Sequence, residues 1–148
     1  MDQPVNMDGR LIDRLIAHGV SATRQRLAVA RVMLPARVHC TADEVVGKLR
    51  AAGEPVSKAT VYNTLGLFVE KGLLRAVVID AGHTLYDSNT EPHHHCYNEQ
   101  TGEVTDIPVQ TQCATLAQLA AQCAPLGDVV GVDVVVRVRG RGAGSETG

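Results

Sequence analysis

Apolar residues in the first half of the chain recur at helical spacing. Leu11, Ile12, Leu15 and Ile16 mark one helix, which Gly19 stops. Thr23 can cap a second, in which Leu27, Ala30 and Leu34 share a face ahead of Pro35. Thr41 and Glu44 form a capping box, each serving the other's backbone N–H, and open a third helix with Val45, Val46 and Leu49 that ends near Gly53. The turn Gly53-Glu54-Pro55-Val56 leads to Ser57, which caps a fourth helix with Val61, Leu65 and Phe68 inward and Gly72 at its close. Two helices across a short turn, the second polar near its start, form a helix-turn-helix pattern.

The period then shortens. Residues 73–79 are apolar and β-branched, Asp80-Ala81-Gly82 is a turn, and 83–86 resume an extended pattern, so a hairpin follows as a wing. Residues 87–92 are punctuated by Ser, Asn, Thr and Pro and read as a hinge. Beyond it, 96–97 and 104–107 are expected to pair across a turn at 98–102. Leu116, Leu119, Ala120 and Cys123 mark an amphipathic helix, and in a last strand Val132, Val134, Val136 and Val138 alternate with Asp133, Arg137 and Arg139. The expected architecture is α+β: a winged helix-turn-helix over 1–86, a hinge over 87–92, a small α/β dimerisation domain over 93–139 and a disordered tail over 140–148. A second unit of roughly 55 residues is too small to bury an adequate core alone, and its Val-rich strand would be a sticky edge. A homodimer answers both problems and suits two-fold symmetric DNA.

Composition changes this picture little. Hydrophobic residues make up 45% and charged residues 20% of the 148, which is ordinary for a globular chain. The opening residues have neither a signal-peptide pattern nor an apolar anchor, and no stretch approaches the roughly 18 apolar residues of a membrane span. Cys40, Cys96, Cys113 and Cys123 lack CxxC spacing or a disulfide framework, so free thiols and a cytoplasmic location are expected. Net charge is −2, which alone disfavours nucleic acid. Its distribution is uneven: residues 1–75 hold 11 Lys/Arg against 7 Asp/Glu, and residues 76–148 hold 3 against 9. A basic first half can approach phosphate while an acidic second half holds cations.

Two groups of residues carry candidate chemistry. On the fourth helix, Asn63 can pair with adenine, Tyr62 can pack on a thymine methyl, and Lys58 and Thr60 can hold phosphate; Arg24, Arg26 and Arg75 are further phosphate candidates. The blander alternative is a helix-turn-helix used for protein contact. The second group is the tract LYDSNTEPHHHC. His93 and His95 lie two apart, hence on one face of a strand, with His94 on the other and Asp87 six residues before His93. Such density favours a metal ion over a solvated turn. By spacing alone His39, before the third helix, is equally a ligand or a cap, and Asp106 equally a ligand or the start of a turn at Pro108. Nitrogen and oxygen donors without thiolate suit five- or six-coordinate Fe(II) or Mn(II) better than a closed zinc site, although Zn(II) would still bind if offered.

These residues together resemble the ferric uptake regulator (Fur) family, over about residues 19–138. The pieces carrying the likeness are TRQR, HCTADEV, SKATVYNTL, LYDSNTEPHHH and TGEVTDI. The peroxide-stress branch (PerR-like) of that family implies a ligand set at His39, Asp87, His93, His95 and Asp106. It also implies operator DNA as partner, a homodimer, and peroxide sensing through oxidation of His39 or His93. There are departures. Where most members hold a structural zinc with two CxxC pairs, Asn98 and Thr101 stand at the first and the tail lacks the second, so no structural zinc is expected. A second regulatory site keeps His94, but Pro92, Cys113 and Val134 occupy its other positions. Ser21 replaces a common basic residue before the second helix, and Asn63 an Arg after the recognition tyrosine, so the target sequence is expected to differ. The HHH tract also resembles the iron-response (Irr-like) branch, in which Cys40 and Cys96 become haem or redox candidates. A rival of another class is a metallohydrolase built on the same His/Asp cluster.

Overall fold

The computed structural model describes residues 6–108 and 114–140 and divides into two compact units, Met1–Thr90 and Glu91–Gly148. Cys113 and residues 141–148 of the expected tail lie outside the described residues.

The first unit holds four helices, α1 (Met7–Ala17), α2 (Arg24–Met33), α3 (Ala42–Ala51) and α4 (Lys58–Glu70). Their starts follow from side-chain caps: Thr23 accepts from Arg26 N, Ser57 accepts from Thr60 N, and Thr41 and Glu44 form the reciprocal capping box. Helix α4 ends because Gly72 takes φ +78°, which lets Leu73 N–H donate to Phe68 O and Gly72 N–H to Val69 O. Leu15, Val29, Met33, Val45, Leu49, Val61, Leu65 and Phe68 are buried together, so the four helices share one core around the chain's single phenylalanine. Ile16 differs from the periodic reading, since it is 61% exposed while Leu11 and Leu15 take the inward positions.

A three-stranded antiparallel sheet completes this unit in the order β1-β3-β2, with β1 His39–Cys40, β2 Arg75–Asp80 and β3 His83–Asp87. The expected wing is β2 and β3. Strand β1 has no counterpart in the sequence reading. Asp87, placed in the hinge by the sequence reading, is the last residue of β3, paired with both Arg75 and His39.

In the second unit β4 (His93–Asn98) lies between β5 (Val104–Pro108), antiparallel, and β6 (Val135–Val138), parallel. The expected pairing across 98–102 occurs with Tyr97 opposite Val104, and it continues back to His93. The turn is closed by Asn98 Oδ1, which accepts from Gln100 N at 2.9 Å and Thr101 N at 3.3 Å. Glu99 binds Arg139 at 2.7 Å and Arg137 at 3.7 Å, tying the end of β4 to β6; the Arg139 guanidinium holds its carboxyl below the ordinary value. The last strand is shorter than its alternation indicated, since 132–134 precede it without strand structure. Helix α5 (Ala114–Cys123) buries none of its side chains, and among the described residues Tyr97 is the unit's only buried apolar residue.

Candidate metal centre and nucleic-acid interface

Within the first unit, His39 and Asp87 are directly opposed across the β1–β3 ladder, with His39 Nε2 3.4 Å from Asp87 Oδ2. The sequence places them far apart, and Ser88 brings them together. Its hydroxyl accepts from Val38 N at 2.9 Å and donates to Ala36 O at 3.0 Å, while Ser88 N–H donates to Val38 O at 3.1 Å. Three hydrogen bonds thus staple the loop before β1 to the end of β3. The Asp87 side chain is 1% exposed, and its Oδ1 accepts from Asn89 N at 2.8 Å. An ionised carboxylate this deep costs several kcal/mol to desolvate unless hydrogen bonds and positive charge offset it. The His39 imidazole and the Asn89 amide offset part of that cost, and a carboxylate beside an imidazole is also a donor pair that fits a divalent cation. Ser88 escaped the sequence reading because a serine in a polar stretch carries no pattern.

Within the second unit, the alternation of β4 buries His93 and His95 on one face and leaves His94 half-buried on the other. Their rings meet edge to face with centroids 4.5 Å apart. Asp106, opposite His95 in the ladder, places Oδ1 3.4 Å from His93 Nε2 and 3.7 Å from His95 Nε2. One ligand atom from each of the three lies within 4.8 Å of the others. His93 Nδ1–H donates to Glu91 O at 2.6 Å, which fixes the tautomer and leaves the Nε2 lone pair directed at the cluster. Two imidazoles and a carboxylate, oriented and mostly buried, are a donor set that fits a first-row divalent cation.

The DNA-contact candidates sit on two helices of the first unit and, for Arg75, on its strand β2. Lys58, Tyr62 and Asn63 are exposed on α4, with Tyr62 45% exposed although aromatic. Lys58 Nζ lies 2.9 Å from Asp43 Oδ1 and 5.9 Å from the Tyr62 ring centroid. The neighbouring carboxylate holds this ammonium above the ordinary lysine value. Thr60 is half-buried and its hydroxyl oxygen accepts from Ser57 Oγ at 2.8 Å, so it serves the helix start. Arg24 is exposed, while Arg26 donates to Ser21 O at 3.1 Å. Arg75, half-buried, opens the wing.

A winged helix-turn-helix with imidazole and carboxylate clusters defines a class, the metal-responsive DNA-binding regulators. Residues 17–123 match the ferric uptake regulator family, and the chain belongs to it. It is 33% identical over 102 residues to the peroxide-responsive repressor PerR of Staphylococcus aureus, covering 68% of this chain and 69% of that one. Among solved structures it is similar to the ferric uptake regulator of Pseudomonas aeruginosa with manganese, at 26% identity and TM-score 0.61 over 87% of this chain and 96% of that one. The Vibrio cholerae ferric uptake regulator shares the fold, with 22% identity, TM-score 0.67, and coverage of 87% and 98%. Members of this family are transcription regulators and not enzymes, which overturns the metallohydrolase alternative. Among the described residues, no helix is long and apolar enough to cross a membrane.

Proposed function

We propose that this chain is a cytoplasmic homodimeric repressor in which one Fe(II) or Mn(II) ion per subunit, held by His39, Asp87, His93, His95 and Asp106, sets affinity for operator DNA. The observation that carries the reading is the paired construction of the two clusters. One unit offers a buried carboxylate beside an imidazole, and the other offers two imidazoles beside a carboxylate. A cation drawing on both couples metal occupancy to the arrangement of the winged helix, since ligands from both units are satisfied only in one conformation. In that role His39 and Asp87 hold the DNA-binding unit, and His93, His95 and Asp106 hold the dimerisation unit. The Glu91 carbonyl keeps His93 in its ligating tautomer, and Ser88 keeps β1 in place. Bound Fe(II) would supply the redox chemistry by which peroxide oxidises a ligand imidazole, His39 or His93, and the likeness to a peroxide-responsive repressor supports that signal.

The remaining parts of the reading rest on this chain's own residues. Lys58, Thr60, Tyr62, Asn63, Arg24 and Arg26 form the surface toward DNA. The turn at 98–102 is closed by Asn98, which supports a plan without structural zinc. The exposed apolar residues Leu119, Val129, Val136 and Val138 of the second unit support its burial against a second copy.

Anaerobic titration of DNA binding with Mn(II), Fe(II) and Zn(II), repeated after stoichiometric peroxide, tests the proposal. The expected result is metal-stimulated binding that peroxide abolishes only with Fe(II), with an added oxygen mass on the peptide containing His39 or His93. Metal-stimulated binding that survives peroxide with an unchanged mass would convert the reading to an iron or haem sensor. Binding indifferent to all three ions would refute it.

A further inference from the structure

The surface toward DNA carries an acid beside its leading cation. Asp43 lies in the first turn of α3, and its carboxylate meets the Lys58 ammonium at 2.9 Å, with the two side chains 68% and 60% exposed. An ion pair that open to water adds little to folding. Asp43 is not needed to start α3 either, because Thr41 and Glu44 already close the cap reciprocally. Asp43 and Tyr62 both line a cleft of about 330 Å³ between the α3 start, α4 and the wing. An anion there stands where a phosphate or base edge would approach, and it engages the α4 cation seated over the tyrosine.

We propose that Asp43 is a specificity-determining residue, which withholds Lys58 from phosphate until base contacts by the neighbouring α4 side chains favour the exchange. The inference rests on the DNA-binding role given to α4 above. Sequence-independent affinity comes from cations that neutralise phosphates and release counterions. A lysine already neutralised by a carboxylate releases fewer, and the carboxylate repels the backbone. Random DNA offers nothing to open the pair. On the correct sequence, Tyr62 and Asn63 bring α4 close enough for Lys58 to trade Asp43 for a phosphate oxygen. Asp43 thereby lowers affinity everywhere, but lowers it most on the wrong sequence.

The test compares the full chain in Mn(II) with its Asp43→Asn, Lys58→Gln and double variants. The probes are a random-sequence duplex and the duplex that the wild type selects from a random pool. Glu70→Gln, the same charge change at the far end of α4, serves as the control. Asp43→Asn is expected to tighten random-duplex binding by about fivefold or more and to steepen the salt dependence by about 0.9 in log–log slope, one phosphate's worth. The selected duplex should gain less, so that discrimination falls, and the gain should vanish in the Lys58→Gln background. Equal affinity of Asp43→Asn and wild type for the random duplex would overturn the inference. So would a gain that Glu70→Gln reproduces or that persists without Lys58. If the wild type binds neither duplex, the DNA-binding role of α4 falls with it.

Discussion

Ser88 shows how a single side chain can decide whether two potential ligands meet. His39 alone is an unremarkable half-buried residue ahead of a capped helix, and it faces Asp87 because the serine hydroxyl bridges Val38 N and Ala36 O. Removing that hydroxyl frees both backbone groups. Ser88→Ala is expected to cost about 1–3 kcal/mol of stability and to weaken Mn(II) binding about tenfold, as loss of a supporting contact does in other metal sites. Calorimetric titration checks it, and unchanged metal affinity would mean that β1 is held in place without the serine. At this scale the sequence was legible wherever period carries meaning. His93 and His95 share a face because strand side chains alternate, and that could be stated before any coordinates. His39 and Asp106 could not be separated from cap and turn residues by spacing, since their neighbours in space come from other elements.

Among elements, the helices were legible and the shortest strand was not. Capping residues and glycine stops announce α2, α3 and α4, and their apolar faces fill one core. Strand β1 has two residues, too few for any alternation to register, yet it sets His39 opposite Asp87. Asp87 reads as the start of a hinge for the same reason, because its ladder partners His39 and Arg75 lie outside that segment. Strand β6 is shorter than its valine pattern because its ladder with β4 starts at Val135, with Val134 contributing only its carbonyl, which accepts from His95 N. Helix α5 shows the converse case: its amphipathic pattern is clear, but no face of it is buried within the chain. A second copy is the proposed cover. Leu119, 49% exposed on α5, is therefore a sensitive position. Leu119→Asp should shift the protein to monomer in sedimentation velocity while leaving helix content unchanged. A persistent dimer would place the interface elsewhere.

For the whole molecule, the basic first half and the acidic second half correspond to the division of labour proposed between a DNA surface and much of a metal centre. The family was legible from dispersed motifs, because winged-helix packing and the His/Asp spacing leave separate traces. The signal was not, because one His/Asp donor set fits both the peroxide and the iron reading. Nor does either half's pattern reveal whether one cation spans both units, as proposed. If it does, metal and DNA binding are linked by a coupling factor typically of about 5- to 150-fold. Loss of a ligand on the DNA-binding side should remove that factor and leave the dimer intact. The direct measurement is DNA affinity of His39→Ala against the wild type, with and without Mn(II), in the absence of oxygen. The variant should stay dimeric and bind DNA weakly, to the same extent with or without the ion. Full metal stimulation in the variant would contradict it.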